Sequence, residues 1–433
     1  MPNEDAHSEI VGSRADGGPW PILRAEGSRS YNSITVPSVQ PPRSFSRLWV
    51  ALVVMAGLFA LSASADPHAV AALRAALVTS SGGPPPIPPV LSATELTPVR
   101  QNAAIKGRDG AQSGLFHDRS IWAFGDTVLN VPGHDGDSWA DNTTSWTADL
   151  DAADGIVLTN DHLDGTGAPT EFIPFTRRER RFNKLHDPNH CQQQPCGAEY
   201  ALWAGPVVPD PQRNRVLYFY MKIYRVIGNP GWTTIGTGIA VWTPGSPVVR
   251  PIESPGSPDP TLMFLQDEVG FTGGSLLEGG ALYSYGCYPG FLVQNCQLAR
   301  APLADALDRS TWIFYAGHGM WSPNSADAVT VLQGGASNQV FFDPYLGDYV
   351  AIYSAPLDDD VMYRVSYSPW GPWSDQALLF TGVPGQNFDY AALSHPEFAE
   401  GDGQTQYVTY VRITGLFESE IRLVQVVFGH PKP

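Results

Sequence analysis

Positive charge, helical periodicity and long apolar runs are all scarce in this sequence. Across 433 residues with a formal net charge of −17, few segments place apolar residues at i, i+3 and i+4 without an interrupting Gly or Pro. This argues against a mainly helical protein, and so acidic a surface repels phosphate backbones, so no nucleic-acid partner is expected. The sequence also lacks a Gly-x-Ser-x-Gly elbow, a P-loop and a dinucleotide fingerprint. We therefore expect no cofactor.

Only one long apolar run is present, at residues 48–61. Its 14 residues are short for a membrane span and typical of the central region of a signal peptide. Arg43 and Arg47 precede it, and Ala63-Ser64-Ala65 provides small residues for cleavage. We predict a disordered leader at 1–47 and a signal peptide at 48–65, with an uncleaved membrane anchor through 48–61 as the alternative. The expected location is secreted, periplasmic or in the cell envelope.

Cysteines are few, and they fall into two local pairs. Cys191 and Cys196 are five residues apart, and Cys287 and Cys296 are nine apart. Two local disulfides are the simplest interpretation for an exported chain. The spacings do not match those of zinc ligands, so no metal is expected.

Turn-forming and aromatic residues are abundant, with 43 Gly, 39 Pro and 12 Trp. An Ala- and Pro-rich linker is predicted at 66–95. After it, a short aromatic or β-branched strand recurs five times, and most copies are followed by a second strand. Repeated strand pairs at this period predict an all-β fold, a five-bladed β-propeller over residues 96–430, and we expect it to be a monomer. A β-sandwich and a β-helix fit the repeat less well. The recurring segments are 121–124, 216–220, 281–285, 349–353 and 406–410.

The interval before the second copy is long, and we interpret residues 151–190 as a loop insertion. It contains the basic run Arg177-Arg178-Glu179-Arg180-Arg181 in an otherwise acidic protein. Such a run is either a solvated surface or a binding site for an anionic part of a polymer.

Two aspartates in Gly-flanked turns are candidate chemical groups. Asp109 precedes Gly110, and Asp126 follows Gly125 at the end of an apolar strand, a spacing that brings neighbouring strand ends together. Hydrolysis of a glycosidic bond needs two carboxyl groups, about 5–5.5 Å apart for retention and about 6.5–9.5 Å apart for inversion. The competing interpretation is that both aspartates only cap turns.

Aromatic side chains in loop-like contexts could hold a sugar. Sugar rings present C–H faces that stack on aromatic rings, whereas many Trp residues in β-rich proteins serve only packing. Trp203 precedes the second recurring strand and is the one we place nearest the centre. The candidate substrate-binding tryptophans are Trp146, Trp203, Trp321 and Trp370.

Several segments together resemble a bacterial family of domains of unknown function, over about residues 97–428. The shared segments are Asp109-Gly110, 122–127, Asn142-Thr143-Thr144-Ser145, 342–347, the Ser-Pro-Trp-Gly-Pro-Trp run at 368–373 and His395-Pro396-Glu397. Some members are endo-D-arabinanases with a five-bladed propeller fold. A departure is Asp343, where related sequences lead us to expect Asn.

The resemblance implies that Asp109 and Asp126 form the catalytic pair. It also implies that the 368–373 run and His395 shape or support a central pocket. His395 would either contact substrate or a catalytic carboxylate, or only fix its loop. Glu268 is a third candidate, as general acid, because propellers that cleave polysaccharides often take their acid from a middle blade. The implied function is an exported glycoside hydrolase acting on a furanose-containing polysaccharide. The alternative is a non-catalytic propeller that binds a cell-surface glycan or protein.

Overall fold

The structure, a computed structural model, describes residues 82–431 apart from 135, 230, 252–256 and 290–292. The predicted leader, apolar run and most of the linker lie outside the described residues. Within them the chain is mostly β-strand, with one α-helix, which confirms the all-β prediction. No helix in this described part has the length and apolar character needed to cross a bilayer.

Five antiparallel sheets of at least four strands follow one another along the chain, and we number them 1 to 5. Each aromatic segment recognised in the sequence lies in the second strand of one sheet, where β-branched and aromatic side chains pack on both faces. Burial of Trp122, Tyr220, Tyr285, Tyr353 and Tyr410 shows this packing. The second strands of sheets 1 to 5 are Arg119–Phe124, Arg215–Val226, Ala281–Pro289, Asp348–Ser354 and Thr405–Gly415.

The other strands flank the second strands in the same order in every sheet. The first strands are Gln112–Phe116, Ala198–Asp210, Gly274–Glu278, Gln339–Asp343 and Tyr390–Ser394. The third strands are Thr143–Thr147, Trp232–Trp242, Gln294–Pro302, Asp360–Ser366 and Glu418–Phe428. The fourth strands are Asn160–Asp161, Phe264–Leu265, Ile313–Gly317, Ala377–Thr381 and Val90–Glu95. Sheet 3 also contains Met320–Ser322 and Leu332–Gly334.

The fourth strand of sheet 5 comes from the other end of the described chain. Val90–Glu95 pairs antiparallel with Glu418–Phe428, and the Arg422 guanidinium lies 2.6 Å from the Glu95 carboxylate. This strand lies inside the stretch predicted as a linker, so the folded part begins before residue 96. The extra residues fold because they complete a ladder that sheet 5 would otherwise leave open.

Neighbouring sheets contact one another through their first strands. Each first strand contacts the first strand of the next sheet, and the turn Pro396–Phe398 of sheet 5 contacts Gln112–Phe116 of sheet 1. A 2.6 Å hydrogen bond between Ser113 and His395 spans this last junction. The sheets therefore form a closed series in which sheet 5 meets sheet 1.

The predicted loop insertion contains ordered structure. The helix Arg177–His186 starts at a capping box, in which the Thr176 side chain accepts from the Glu179 backbone and the Glu179 side chain accepts from the Thr176 backbone. The disulfide Cys191–Cys196 follows the helix, and Cys287–Cys296 joins directly opposed residues of sheet 3. Both predicted disulfide pairings are confirmed.

Two small sheets support the chain around sheet 1. Arg100–Gln101 pairs parallel with Val157–Leu158, and the three strands Ile105–Arg108, Thr127–Leu129 and Trp139–Ala140 form the other sheet. Residues 109 and 126 immediately flank this three-stranded sheet.

A fully buried ion pair anchors the residue before Asp109. Arg108 Nη2 donates to Asp161 Oδ1 at 2.6 Å, and neither side chain is exposed. Ser145 joins both groups, and the guanidinium lies 4.3 Å from the centre of the Phe124 ring. Because desolvation opposes burial of either charge alone, each partner depends on the other.

Replacement Asp161→Asn leaves the Arg108 charge buried without its partner, so we expect a loss of about 3–5 kcal/mol in the free energy of unfolding. Urea denaturation monitored by tryptophan fluorescence measures this loss. In the matched control Arg108→Met/Asp161→Leu, both charges are gone, and we expect most of the stability to return. An Asp161→Asn variant as stable as the parent protein would show that the ion pair does not stabilise the fold.

Candidate functional site

Asp109 and Asp126 lie side by side at one end of sheet 1. The Asp109 N–H donates to the Asp126 carbonyl at 2.9 Å, and the Gly125 N–H donates to the Asp109 carbonyl at 2.8 Å. Gly110 has a φ of 70°, a conformation that glycine adopts without strain and that turns the chain into the first strand. The local turns thus place both aspartates at the same sheet end.

The Asp126 carboxylate is held by three donors from different elements. Its Oδ1 accepts from the indole N–H groups of Trp139 at 3.1 Å and Trp203 at 3.0 Å, and its Oδ2 accepts from Arg225 at 3.1 Å. Burial raises the pKa of Asp126, while Arg225 and the two indoles oppose the rise. The donors fix the orientation of this carboxylate.

Arg225 distributes its donors over three carboxylates. Besides Asp126, it donates to Asp141 at 2.8 Å and to Glu199 at 2.6 Å. Burial alone would lower the pKa of Arg225, but the three carboxylates outweigh burial and raise it. Burial and the neighbouring acids raise the pKa of Asp141 well above its usual value, although Arg225 opposes them.

Asp109 has a different environment. Its carboxylate accepts a hydrogen bond from the Tyr390 hydroxyl, which comes from the first strand of sheet 5. Burial raises the pKa of Asp109 to about 6; the Tyr390 hydrogen bond lowers it and the Asp126 charge adds to the rise. The two neighbouring carboxyl groups therefore differ in their partners: a tyrosine for Asp109, a guanidinium and two indoles for Asp126.

Aromatic rings extend from Asp126 toward solvent in two directions. The Trp203 ring meets Trp232 edge-on at 5.0 Å, and the Trp139 ring meets Phe417 edge-on at 5.5 Å. Trp232 is 58% exposed and Phe417 59% exposed. We call these pairs the two aromatic arms; each runs from the carboxylate to the surface.

Antiparallel geometry explains this convergence. The start of a first strand, the end of a second strand and the start of a third strand all lie at the same end of a sheet. Asp109 and Tyr390 occupy the first of these places, Asp126 and Arg225 the second, and Trp232 the third. The site combines residues of sheets 1, 2 and 5.

Three of the four predicted substrate-binding tryptophans lie outside this cluster. Trp146 packs in the core between sheets 1 and 2. Trp321 and Trp370 meet edge-on at 6.1 Å in a second aromatic group that includes Tyr315, and Arg300 lies 4.0 Å from the centre of the Trp321 ring. Trp203 is the predicted tryptophan that contacts Asp126.

His395 is fully buried at the junction of sheets 5 and 1. Its ring nitrogens bond Ser113 at 2.6 Å and Thr409 at 2.7 Å, and its ring stacks on Trp122. Burial lowers the pKa of His395 to about 3, so the ring is neutral. These contacts fit the loop-fixing alternative rather than contact with substrate.

Glu268 is held by neighbours other than the two aspartates. Arg309 donates to its Oε1 at 2.5 Å, and the Leu265 N–H donates to its Oε2 at 3.1 Å. Arg309 also lies over the rings of Phe264 and Phe314. The described contacts of Glu268 therefore belong to an ion pair between sheets 2 and 3. Asp343, the departure from the family pattern, is likewise bonded elsewhere, to Leu346 and Gln406.

Sequence reasoning missed most of the residues that surround the pair. Tyr390, Arg225, Glu199, Trp232 and Phe417 come from positions distant in sequence from the two aspartates, whereas Asp141 lies 15 positions after Asp126. The available signal was their place at strand ends, which many other residues share. Within the described residues, no group of three or more His, Cys, Asp or Glu side chains is placed to hold a metal ion.

The chain is similar to solved structures in its fold and to one protein family in its sequence. No curated protein sequence matches the chain. Among solved structures, a candidate hydrolase from Bacteroides ovatus is 15% identical over 75% of this chain and 86% of its own, with a TM-score of 0.48.

Two further similar structures are glycoside hydrolases. The catalytic domain of the Coprinopsis cinerea GH62 α-L-arabinofuranosidase is 10% identical over 80% of this chain and 100% of its own, with a TM-score of 0.42. The Xanthomonas citri GH43_1 enzyme complexed with xylose is 13% identical over 78% and 93%, with a TM-score of 0.44. Likeness at this level carries no conclusion about the activity of this chain.

The sequence match is of a different kind, because it assigns a family. Residues 102–413 match the family described as a domain of unknown function, DUF4185. The match spans sheets 1 to 4 and reaches the second strand of sheet 5. It confirms the predicted membership of a domain-of-unknown-function family and leaves the endo-D-arabinanase activity untested. The chain belongs to the DUF4185 family.

Proposed function

We propose that this protein is an exported glycoside hydrolase that cleaves a neutral, furanose-containing polysaccharide, with Asp109 and Asp126 as its catalytic carboxyl groups. The observation that carries the proposal is the pairing of two partly buried aspartates at the base of two solvent-reaching aromatic arms. In the proposal, the five sheets are the blades of a five-bladed β-propeller, and the site lies at one end of their first strands.

The two carboxyl groups have the contrasting environments that glycosidic cleavage uses. Asp109, with a pKa of about 6, can hold a proton near neutral pH and deliver it to the leaving oxygen. Burial raises the pKa of Asp126 as well, but Arg225 and two indoles donate to this carboxylate and favour its ionised form. In the proposal, Asp126 acts as base or nucleophile. The proposal thus assigns the acid to Asp109.

Charge at the site favours a neutral substrate. Arg225 has each of its donor nitrogens on a carboxylate, so it offers no free charge to an anionic sugar. The three carboxyl groups that Arg225 contacts, those of Asp126, Asp141 and Glu199, outnumber this cation. A uronate or phosphate group would be repelled there. Exposed Trp232 and Phe417 offer the rings on which uncharged sugar faces stack.

Export is part of the same proposal. The two disulfides are typical of proteins that fold in an oxidising compartment. The apolar run at 48–61 supplies the signal for export, and an arabinan of the cell envelope or surroundings is a substrate that an exported enzyme meets.

Replacement of either aspartate tests the catalytic pair. We expect Asp109→Asn and Asp126→Asn each to lower kcat/KM on an arabinan by about 10²–10⁴-fold, since each removes a proton-transfer or nucleophilic group while keeping the side-chain shape. Release of reducing ends measures cleavage, and circular dichroism checks folding. Asp118→Asn, in the exposed turn between the first and second strands of sheet 1, is the matched control and should retain full activity.

The same assay separates the remaining assignments. Glu268→Gln should retain activity within a few-fold, because the Glu268 carboxylate is engaged by Arg309; a loss as large as that of Asp109→Asn would make Glu268 the acid. A folded parent protein that binds arabinan and cleaves no furanoside polymer would establish the non-catalytic glycan-binding propeller instead.

The pH profile tests the roles of the two carboxyl groups. A general acid must be protonated, so kcat/KM should fall as the pH rises through about 6, the pKa of Asp109. The Tyr390 hydrogen bond lowers that pKa, so Tyr390→Phe should move the fall to higher pH. Activity that rises through pH 6 would make Asp109 the base and reverse the assignment.

The aromatic arms should act on substrate binding more than on chemistry. We expect Trp232→Ala and Phe417→Ala each to raise KM by about 5–10-fold with kcat within about twofold, because each removes roughly 1 kcal/mol of ring stacking. Steady-state kinetics on arabino-oligosaccharides of increasing length provide the measurement. Leu357→Ala, at a residue that is 73% exposed and outside the cluster, is the control. Unchanged KM values in both arm variants would remove the arms from the binding site.

A further inference from the structure

The helix Arg177–His186 concentrates positive charge in an acidic protein. Its first eight residues include Arg177, Arg178, Arg180, Arg181 and Lys184, all of them exposed. In a helix of 3.6 residues per turn, all of these except Arg178 fall on one stripe about 100° wide. We call the five residues together the cationic face: four form the stripe, and Arg178 lies beside it. The whole chain carries a net charge of −17, so this face stands out from its surroundings.

The single acid within the helix does not neutralise the cationic face. Glu179 is buried on the inner side, where its carboxylate lies 2.6 Å from Arg250 and 2.7 Å from Lys222. Asp187, the residue after the helix, accepts from the Asn189 N–H and bonds His190. Among the described residues, no ion pair involves the five cations of the face.

The arrangement does not serve the stability of the helix. Arg177 and Arg178 occupy the first turn, where the helix dipole favours acids and disfavours cations. Arg177 and Arg181, and likewise Arg180 and Lys184, are like charges four residues apart, which repel. Helix stability would favour acids at Arg177 and Arg178, and of the five cations Lys184 alone lies in the last turn, where the dipole favours a cation. The charge of the first turn therefore calls for another explanation.

The helix is nevertheless firmly held. The capping box fixes its start, Asn183 exchanges two hydrogen bonds of 2.9 Å with the backbone of Tyr200, and the His186 ring bonds the Pro195 carbonyl. The Phe182 ring packs on Tyr200. The cationic face is therefore presented on a rigid element, next to the strand that supplies Glu199 and Trp203 to the site.

We propose that this cationic face binds an acidic polysaccharide, a chain that bears carboxylate or phosphate groups. Four of the five cations are arginines, whose planar guanidinium groups match such oxyanions with two parallel hydrogen bonds. Successive cations on the stripe lie about 5–6 Å apart, so one face can engage several anions of a flexible chain.

The composition of the face favours a soluble polymer over a membrane. A helix that lies on a bilayer inserts exposed apolar side chains between the lipids. Here Phe182 packs on Tyr200, Leu185 is only partly exposed, and no apolar side chain of the helix is fully exposed. The same polymer could carry neutral segments, which the carboxylate-rich site would accept while the helix holds the acidic ones.

Binding of the full folded chain to immobilised polygalacturonate and to poly(glycerol phosphate) tests the proposal. We expect Arg177→Gln/Arg181→Gln to weaken binding to at least one of these polymers by about tenfold or more, because each arginine makes charged hydrogen bonds to the anions. Gln keeps helix propensity, and the removal of like charges should leave the thermal unfolding temperature unchanged or raised. The matched control Arg119→Gln/Arg213→Gln removes two cations elsewhere, each paired with a nearby aspartate, and should bind like the parent protein.

Three results would overturn the proposal. One is that neither polymer binds the parent protein; another is that both double variants lose binding equally, which would reflect net charge alone. The third is that Arg177 and Arg181 matter only for vesicles of anionic lipid, which would indicate a membrane surface. Cleavage of neutral arabino-oligosaccharides by the Arg177→Gln/Arg181→Gln variant should be unchanged, so failure of this proposal is distinguishable from failure of the proposed hydrolase activity.

Discussion

The pairing of Val90–Glu95 with Glu418–Phe428 is the constraint on which the rest of the structure depends. This ladder completes sheet 5 from the two ends of the described chain, and sheet 5 in turn meets sheet 1. The contacts that cross that junction include the Ser113–His395 hydrogen bond in the interior and the Tyr390–Asp109 hydrogen bond at the site. The electrostatic environment of Asp109 is thus a property of how the series of sheets closes, as well as of its own turn.

The candidate site also depends on a balance of buried charge. Acidic groups in a partly desolvated cluster repel one another, and the Arg225 guanidinium is what allows Asp126, Asp141 and Glu199 to lie together. Removal of that guanidinium would leave three neighbouring carboxyl groups without a counter-charge, so at least one would take up a proton. Arg108 acts differently, because its charge is matched by the single carboxylate of Asp161 and its task is to hold the chain before Asp109.

Local patterns in the sequence were enough to predict the repeating architecture. Segments such as 216–220 and 349–353 combine β-branched and aromatic residues, and strand formation at those positions is dictated by packing on both faces of a sheet. The two disulfides were predictable from local sequence as well, because each bridge joins cysteines that are close in sequence. The pair Asp109 and Asp126 could be singled out because both lie in turns next to strand ends, although their chemistry stays a prediction.

Most of the remainder of the site was not predictable, because it arises from contacts between distant strands. Arg225 reaches Asp126 across 99 sequence positions, and Tyr390 reaches Asp109 across 281. Its place before the second recurring strand singled out Trp203, which contacts Asp126, but no local signal showed that Trp146 packs in the core. The helix Arg177–His186 was hidden by its charge, since repelling arginines give no apolar periodicity; a capping box and the contacts of Phe182 and Asn183 stabilise it instead.

The shared sheet 5 has a consequence for the order in which the molecule can be assembled. A ribosome makes Val90–Glu95 more than 300 residues before its partner strand Glu418–Phe428, and the chain between them forms the first four sheets. Until that late strand is present, the early strand has no ladder to join, and Tyr390 and Phe417 cannot take their places beside Asp109 and Trp139. A nascent chain can therefore build most of its core while its site is still incomplete. The site is completed only when the last strand of sheet 5 has been made.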